Sequence, residues 1–281
     1  TFMTTSKEQI RKRIFVVGAA RSGTTLLQSM LASHPGIHSF PETHFFRGTV
    51  PKRWWLRLVK RYGAAERSFI SSFLERIEHP ELVRHLPHHT WSQKAWAKSL
   101  LRILDDICTA AGFSIWLEKT PMHLYFTDLI TLIAPQTMFV HLIRSGEDVV
   151  ASLYEASRSD PEFFAGARSK SQCIRRWKRD ITISKRSVGV RNHSFVKYEQ
   201  LVDEPKENLS RLCDELGLKF SDQMLDYRAA AEKFVLPEES WKKKAKETLE
   251  KSSKFEQVFS ADEQTYIRQK IRTIDLTPFD N

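Results

Sequence analysis

The sequence predicts an α/β fold, with one central parallel sheet of about five strands flanked by helices in three layers, all within a single domain. Three observations predict it. Five short apolar or β-branched runs lack polar alternation, as strands buried on both faces do: Ile14 to Val17, Ile37 to Phe40, Ser114 to Leu117, Thr137 to Ile143 and Ser194 to Lys197. Helical patterns lie between them, and strand alternating with helix calls for parallel strands joined by right-handed crossovers. No internal repeat and no Gly/Ser/Pro-rich linker divides the 281 residues, a length that one core can serve.

Each element follows in chain order. Residues 1–13 are a polar tail, and the domain occupies 14–281. The first strand runs into GAARSGTT, and a helix from Thr24 to Ser33 stops before His34-Pro35-Gly36. The second strand runs into Pro41-Glu42-Thr43-His44. A helical insertion, residues 47–112, comes next. Its stretch from Arg47 to His89 has helical spacing without an obvious strand and is expected to pack over one end of the sheet; a helix from Gln93 to Ala111 then ends at Gly112. The third strand leads into Glu118-Lys119-Thr120-Pro121 and a helix from Met122 to Ala134, stopped by Pro135. The fourth leads into Arg144-Ser145 and a helix from Gly146 to Ser157, and the fifth into Tyr198-Glu199. Beyond Leu201 the pattern is mostly helical, with a loop-like, lysine-rich stretch from Pro237 to Lys254.

Composition bounds the function. With 41% hydrophobic and 28% charged residues, 18 Phe and 7 Trp, the chain reads as a packed globular protein, which sets aside collagen-like and low-complexity classes. The longest apolar runs fall far below the ~18 residues of a spanning helix. The opening TFMTTSKEQIRKR has no apolar region before a small-residue cleavage site, so the expected setting is cytoplasmic. Cys108, Cys173 and Cys213 form no CxxC pair and read as reduced thiols, and the histidines, His85, His88 and His89 included, lack metal-ligand spacing, so no metal is expected. Lys plus Arg outnumber Asp plus Glu by 44 to 34, a formal charge of +10, which favours a polyanionic partner. Nucleic acid, acidic lipid, anionic glycan and nucleotide all satisfy that charge, so its placement must choose.

Ligands of open parallel sheets bind beyond the carboxyl ends of the strands. There the first loop is a phosphate cradle: a strand, a glycine-containing turn and a helix start that aim backbone N–H groups at one point. Gly18, Gly23 and Thr25 fall in register with the Walker pattern GxxxxGK[ST], which makes the expected fold P-loop-like, but Thr24 stands where the lysine belongs. The cation of this loop is Arg21. No apolar strand ends in the Asp of a Walker B site; MFVHLI ends in Arg144. A metal-free anionic cofactor therefore fits better than Mg-ATP. A second anion site is expected from Arg144 and Ser152, the latter about two turns into the next helix.

The two segments FVVGAARSGTTLLQSMLASHP and FVHLIRSGEDVVASLYEAS resemble the cofactor motifs of the sulfotransferases that use 3'-phosphoadenosine-5'-phosphosulfate (PAPS). The resemblance extends through PETHFF, LEKTP and FVKYEQLVDEP, about Ile14 to Pro205, and is nearest the branch of tyrosylprotein and many bacterial sulfotransferases, in which Arg replaces the loop Lys of cytosolic arylsulfotransferases. It implies transfer of a sulfuryl group from PAPS to an acceptor hydroxyl, leaving 3'-phosphoadenosine-5'-phosphate (PAP). It further implies that Arg21, Ser22, Gly23, Thr24 and Thr25 hold the 5'-phosphosulfate, that Arg144 and Ser152 hold the 3'-phosphate, and that Tyr198 lies against the cofactor. Arg21 and Lys119 would stabilise the leaving oxygen, and Glu42 would be the base, with His44 in reserve. The family's basic C-terminal stretch, which closes over the cofactor, has no clean match; Lys242 to Lys244 and Lys254 lie in the right part of the chain.

The acceptor is open among glycan, lipid, aromatic alcohol and carrier-bound metabolite. In PKRWWLRLVKRYG, residues Trp54, Trp55, Leu58, Val59 and Tyr62 read as one helix face and Lys52, Arg53, Arg57, Lys60 and Arg61 as much of the rest. Such a helix either packs its aromatic side on the sheet or serves as an acceptor lid and peripheral membrane contact. Two rival classes stand beside the sulfotransferase: a P-loop nucleotide kinase or phosphotransferase, set back by Thr24 and the missing metal ligand, and a non-enzymatic basic module for nucleic acid or membrane. Specific nucleic-acid binding is not expected, because interleaved basic and aromatic residues are confined to one helix.

Overall fold

Strand β1 (Lys12–Gly18) lies at the centre of a five-stranded sheet of order β2-β3-β1-β4-β5, completed by β2 (His38–Ser39), β3 (Ile115–Lys119), β4 (Met138–Ile143) and β5 (His193–Lys197). Every neighbouring pair is parallel. The structure is a computed structural model, and it describes residues 9–164, 166–228, 230 and 254–280. All five expected strands form, with shifted ends. Lys12 and Arg13 leave the expected tail for β1, because their backbone pairs with Ile115 and Trp116, and Asp105 binds the Arg13 guanidinium at 2.7 and 2.9 Å. β2 shrinks to the two residues that pair with Trp116 and Leu117.

The helices are α1 (Thr24–Ala32), α2 (Phe45–Thr49), α3 (Trp54–Val59), α4 (Ala64–Arg76), α5 (Gln93–Ala110), α6 (Thr127–Ile133), α7 (Gly146–Ser159), α8 (Pro161–Phe164), α9 (Lys170–Lys185), α10 (Tyr198–Asp203) and α11 (Pro205–Glu215), followed by Lys254–Val258 and Ala261–Ile271. None of the described helices is long and apolar enough to cross a membrane. Strand alternation sorts the core into layers. Phe15 and Val17 of β1, with Trp116 and Phe139, face the inner sides of α2, α4 and α5. Ile14 and Val16 face Leu27, Met30 and Leu31 of α1 and Leu209 and Leu212 of α11. A third cluster, along β4 and β5, joins Val150 and Leu153 of α7 to Trp177 and Ile181 of α9 and to Phe255 and Ile267 from the C-terminal helices.

Two expectations change and one helix goes unread in the sequence. Helix α5 of the insertion lies on a face of the sheet, where Trp96, Leu100 and Leu104 enter the same cluster as Phe15. The expected helix from Met122 to Ala134 is a 3-10 turn, Pro121–Phe126, that passes into α6. Helix α9 was not singled out in the sequence, although its Ser169 and Gln172 form a reciprocal cap and Ile174, Trp177 and Ile181 recur at helical spacing. In α3 the faces are reversed: Trp55, Leu58 and Val59 are exposed, whereas Arg57 is buried. Arg57 donates to the carbonyls of Pro51, Lys52 and Tyr125 and to Asp128. Those bonds tie the helix down through its cation. Tyr62, beyond the helix, is buried and stacks on Trp96, centroids 5.3 Å apart.

His141 on β4 is fully buried, its Nε2 2.9 Å from His193 Nδ1 and its Nδ1 3.1 Å from Ser184 Oγ. Burial holds His141 well below its ordinary pKa and lowers His193 to about 4. Burial likewise lowers His38, and lowers His44 to about 4. Below the usual histidine value the unfolded chain takes up protons that the folded one refuses, so this stability is present at neutral pH and drains away as pH falls from about 6.5. Thermal unfolding followed by circular dichroism should therefore give a lower midpoint at pH 5 than at pH 7, and the difference should shrink in His141→Gln. A midpoint independent of pH over that range would contradict the account.

Candidate active site

β1 ends at Gly18, where an added Cβ would lie 2.6 Å from the Leu142 carbonyl of β4. The loop that follows turns through left-handed backbone at Arg21 (φ 72°) and Gly23 (φ 97°). Gly23 occupies the N-cap of α1 and no side chain caps the helix, which leaves its first N–H groups for a ligand. Ser22 Oγ is buried in the same loop without a hydrogen-bond partner. A buried hydroxyl and an uncapped helix start are what an anion would satisfy, and they fit the phosphate end of a nucleotide.

At the end of β3 two adjacent charges point to opposite faces of the sheet. Glu118, on the Trp116 side, accepts from Thr43 N–H at 3.1 Å, Thr43 Oγ1 at 3.0 Å and Thr120 Oγ1 at 2.5 Å, and lies 2.8 Å from His123 Nδ1. His123 Nε2 in turn accepts from Phe46 N–H at 3.3 Å, so the ring's hydrogen on Nδ1 is aimed at Glu118. Burial alone would raise the Glu118 pKa, but His123 and these hydrogen bonds hold it below the usual carboxylate range. Lys119 points to the α1 side, buried, where its Nζ donates to Glu42 and to Thr25 Oγ1 at 3.3 Å. The period of the strand separates the two charges, and each finds its own partner on its own face.

At the end of β4, Arg144 donates to Asp148 at 3.3 and 3.4 Å, and its guanidinium lies over the Tyr198 ring, 4.0 Å from the centroid. Ser145 caps α7, and its own N–H donates to Glu199 at 2.9 Å, which draws the β5 end against the β4 end. Two turns along α7, Ser152 Oγ accepts from Arg21 Nε at 3.1 Å. The Tyr198 ring covers Gly23 so closely that any Cβ there would overlap it. The residues expected from sequence therefore come together around one loop: Glu42 and Lys119 at Thr25, Ser152 at Arg21, Tyr198 and Arg144 at Gly23. Lys119, from the neighbouring strand, brings its Nζ to Thr25, beside the position where the Walker pattern has its lysine.

His44, left-handed at φ 52°, places Nε2 3.6 Å from Glu42, its backbone N–H donates to Thr120 Oγ1 at 3.2 Å, and its buried Nδ1 has no hydrogen-bond partner. Glu118, His123, Asp148 and Glu199 are the site-shaping residues that sequence reasoning missed; the one signal was an acidic residue, Glu118, inside an otherwise apolar strand. Lys254 pairs with Glu155 at 2.9 Å, tying the C-terminal helices to the helix that carries Ser152. Lys242 to Lys244 lie outside the described residues.

A family model described as "Sulfotransferase family" matches residues 13–222. A protein-tyrosine sulfotransferase of Drosophila melanogaster is 24% identical over 217 residues, 76% of this chain and 40% of that protein. The chain thus spans less than half the length of that relative. Among solved structures, the sulfotransferase domain of a Synechococcus olefin synthase covers 98% of this chain and 99% of its own at 20% identity and a TM-score of 0.59. A mouse sulfotransferase crystallised with PAP covers 94% of this chain and 85% of its own at 13% identity and a TM-score of 0.55. These structures share the fold.

Removing the buried carboxylate should loosen the site as a unit. Glu118→Ala strands the Thr43 N–H, the Thr120 hydroxyl and the His123 ring, and should cost about 3 kcal/mol or more of stability in urea unfolding. A loss under about 1 kcal/mol would mean that those three groups find other partners.

Proposed function

This chain belongs to the sulfotransferase family, and from that premise we propose that it moves the sulfuryl group of PAPS to an acceptor hydroxyl by direct in-line transfer. The observation that carries the reading is the Arg21 to Ser152 hydrogen bond at 3.1 Å, which joins the first loop to the helix of the second anion motif, as a ligand reaching both would require. PAPS, when bound, supplies an activated sulfuryl group and two phosphates. The chain's own residues bind and orient it. Ser22 Oγ and the N–H groups of Gly23, Thr24 and Thr25 receive the 5'-phosphosulfate, and Arg144 and Ser152 receive the 3'-phosphate. In that exchange Arg144 gives up its long contacts to Asp148, while Tyr198 keeps the guanidinium in place.

Lys119 and Arg21 stand where negative charge would grow on the leaving phosphate, and being preplaced they reorganise little as it does. An acceptor hydroxyl replacing the leaving phosphate on the sulfuryl group would have to lose its proton, and Glu42 would take it. One fact favours Glu42 over His44: it contacts Lys119, so base and electrostatic catalyst are held together. Half-buried, with its Nε2 3.6 Å away, His44 positions Glu42.

Titration calorimetry tests the cofactor first. PAP should bind without metal and at least ~10-fold more tightly than ADP, and Arg144→Ala should erase that preference; equal affinity for PAP and ADP would overturn the assignment of the 3'-phosphate site. A second measurement separates binding from chemistry. Glu42→Gln should keep PAP affinity and lose ~10²-fold or more in kcat for sulfation, on the scale of a general base. Full rate in Glu42→Gln together with a loss in His44→Ala would transfer the base to His44.

A further inference from the structure

A group of cations that the reaction does not use stands close to the proposed base. Tyr125, on the 3-10 turn that follows Lys119, carries three of them over its ring: Lys52 Nζ at 5.1 Å from the centroid, the Arg179 guanidinium at 5.3 Å and that of Arg176 at 5.9 Å. Beneath them Asp180 is buried, accepting from the Tyr125 hydroxyl and from Arg176 Nε at 2.7 Å, with Arg179 Nε at 3.9 Å. Arg57 donates to the Tyr125 carbonyl at 3.1 Å and pairs with Asp128. Arg47, one turn along α2 from His44, connects this group to the site, since its charge acts on both His44 and Lys52.

The charges do not balance. Arg47, Lys52, Arg57, Arg176 and Arg179 face two carboxylates, Asp128 and Asp180, and among the described residues neither Arg47 nor Lys52 has a carboxylate partner. The strain is visible on Lys52, whose pKa falls to about 8 through partial burial and the nearby charges of Arg176, Arg47 and Arg179. Asp180 is engaged by Arg176 and the Tyr125 hydroxyl and meets Arg179 only at 3.9 Å, and it forms no ion pair with Lys52 or Arg47. The face they share therefore has room for negative charge from outside. It lies along α2 and the Tyr125 turn, the elements that follow His44 and Thr120, which are joined to each other by the His44 N–H to Thr120 and Phe46 N–H to His123 hydrogen bonds.

We propose that Lys52, Arg179 and Arg47 form an anion subsite for the acceptor, so that the preferred acceptors are hydroxyl compounds bearing a carboxylate or another anionic group that these cations hold while the hydroxyl meets Glu42. The inference rests on Glu42 marking the acceptor side. It gives the excess charge a task distinct from that of Arg21, Lys119 and Arg144, which serve the cofactor.

The test uses protein saturated with PAP, so that the cofactor site is filled. Inorganic phosphate, and separately 4-hydroxyphenylacetate and its methyl ester, are titrated calorimetrically into wild type and into Lys52→Gln/Arg179→Gln, which alters two exposed side chains. Phosphate should bind wild type saturably and at least ~10-fold more weakly in the variant, about the contribution of one charge-assisted hydrogen bond. The acid should bind wild type ~10-fold more tightly than the ester, and the variant should not distinguish them. PAP affinity should be the same in both proteins. Absence of saturable phosphate binding, an unchanged phosphate affinity in the variant, or equal affinity of wild type for acid and ester would each overturn the proposal. Failure of wild type to bind PAP would instead strike the proposed function, and the comparison of phosphate affinity between wild type and variant would still judge the subsite.

Discussion

A single buried carboxylate, Glu118, decides whether the loops around the site are in register. It sits at the end of β3 and receives hydrogen bonds from Thr43 in the loop after β2, from Thr120 in the loop after β3, and from His123 one turn later. Burying it is unfavourable by itself, and the three partners together make the burial acceptable. Once those loops are joined, Glu42, the residue before Thr43, is carried to Lys119, the residue after Glu118. The Lys119–Glu42 ion pair and the Glu118–His123 hydrogen bond, on opposite faces of one strand, thus form as one arrangement. The first reaches Thr25 at the start of α1, and the second sets its position.

The strands were legible because a sheet buried on both faces leaves apolar runs with little else in them. The turn after β1 and the start of α1 were legible because glycines and threonines at those spacings mark a strand, a tight turn and a helix start. What could not be read has a shared cause. The orientation of α3, the role of Glu118 and the true partner of Lys119 are decided by contacts between residues distant in sequence, such as Arg57 with Tyr125 and Lys119 with Glu42. A pattern of alternating apolar and basic residues gives α3 two faces. It does not reveal that carbonyls at Pro51 and Tyr125 would capture the arginine and leave Trp55 outside. The missed α9 is a different case, since its cap and its apolar spacing were both present to be read.

Net charge and its placement contribute differently. A formal +10 attracts any polyanion. The structure sets its cations at distinct depths: Lys119 fully buried against Thr25, Arg144 flattened on Tyr198, and Lys52 and Arg179 on an accessible face. Those held in place before binding lose little side-chain entropy when a ligand arrives. Tyr198 does this twice over, for it supports Arg144 and fills the space that the bare α-carbon of Gly23 leaves.

The central position of β1 has a consequence for how the chain acquires its structure. β1 is made first, yet its partners begin at Ile115 and Met138, more than a hundred residues downstream. A ribosome adding ~5–20 residues per second leaves that apolar strand without sheet neighbours for several seconds at least. Its pairings close long loops, which slows folding relative to a protein of local contacts. During synthesis α1 is the element that can shield it, laying Leu27, Met30 and Leu31 over Ile14 and Val16 before β3 exists. The nucleotide loop between β1 and α1 would then be among the first parts of the molecule to take shape, long before the strands that complete the site.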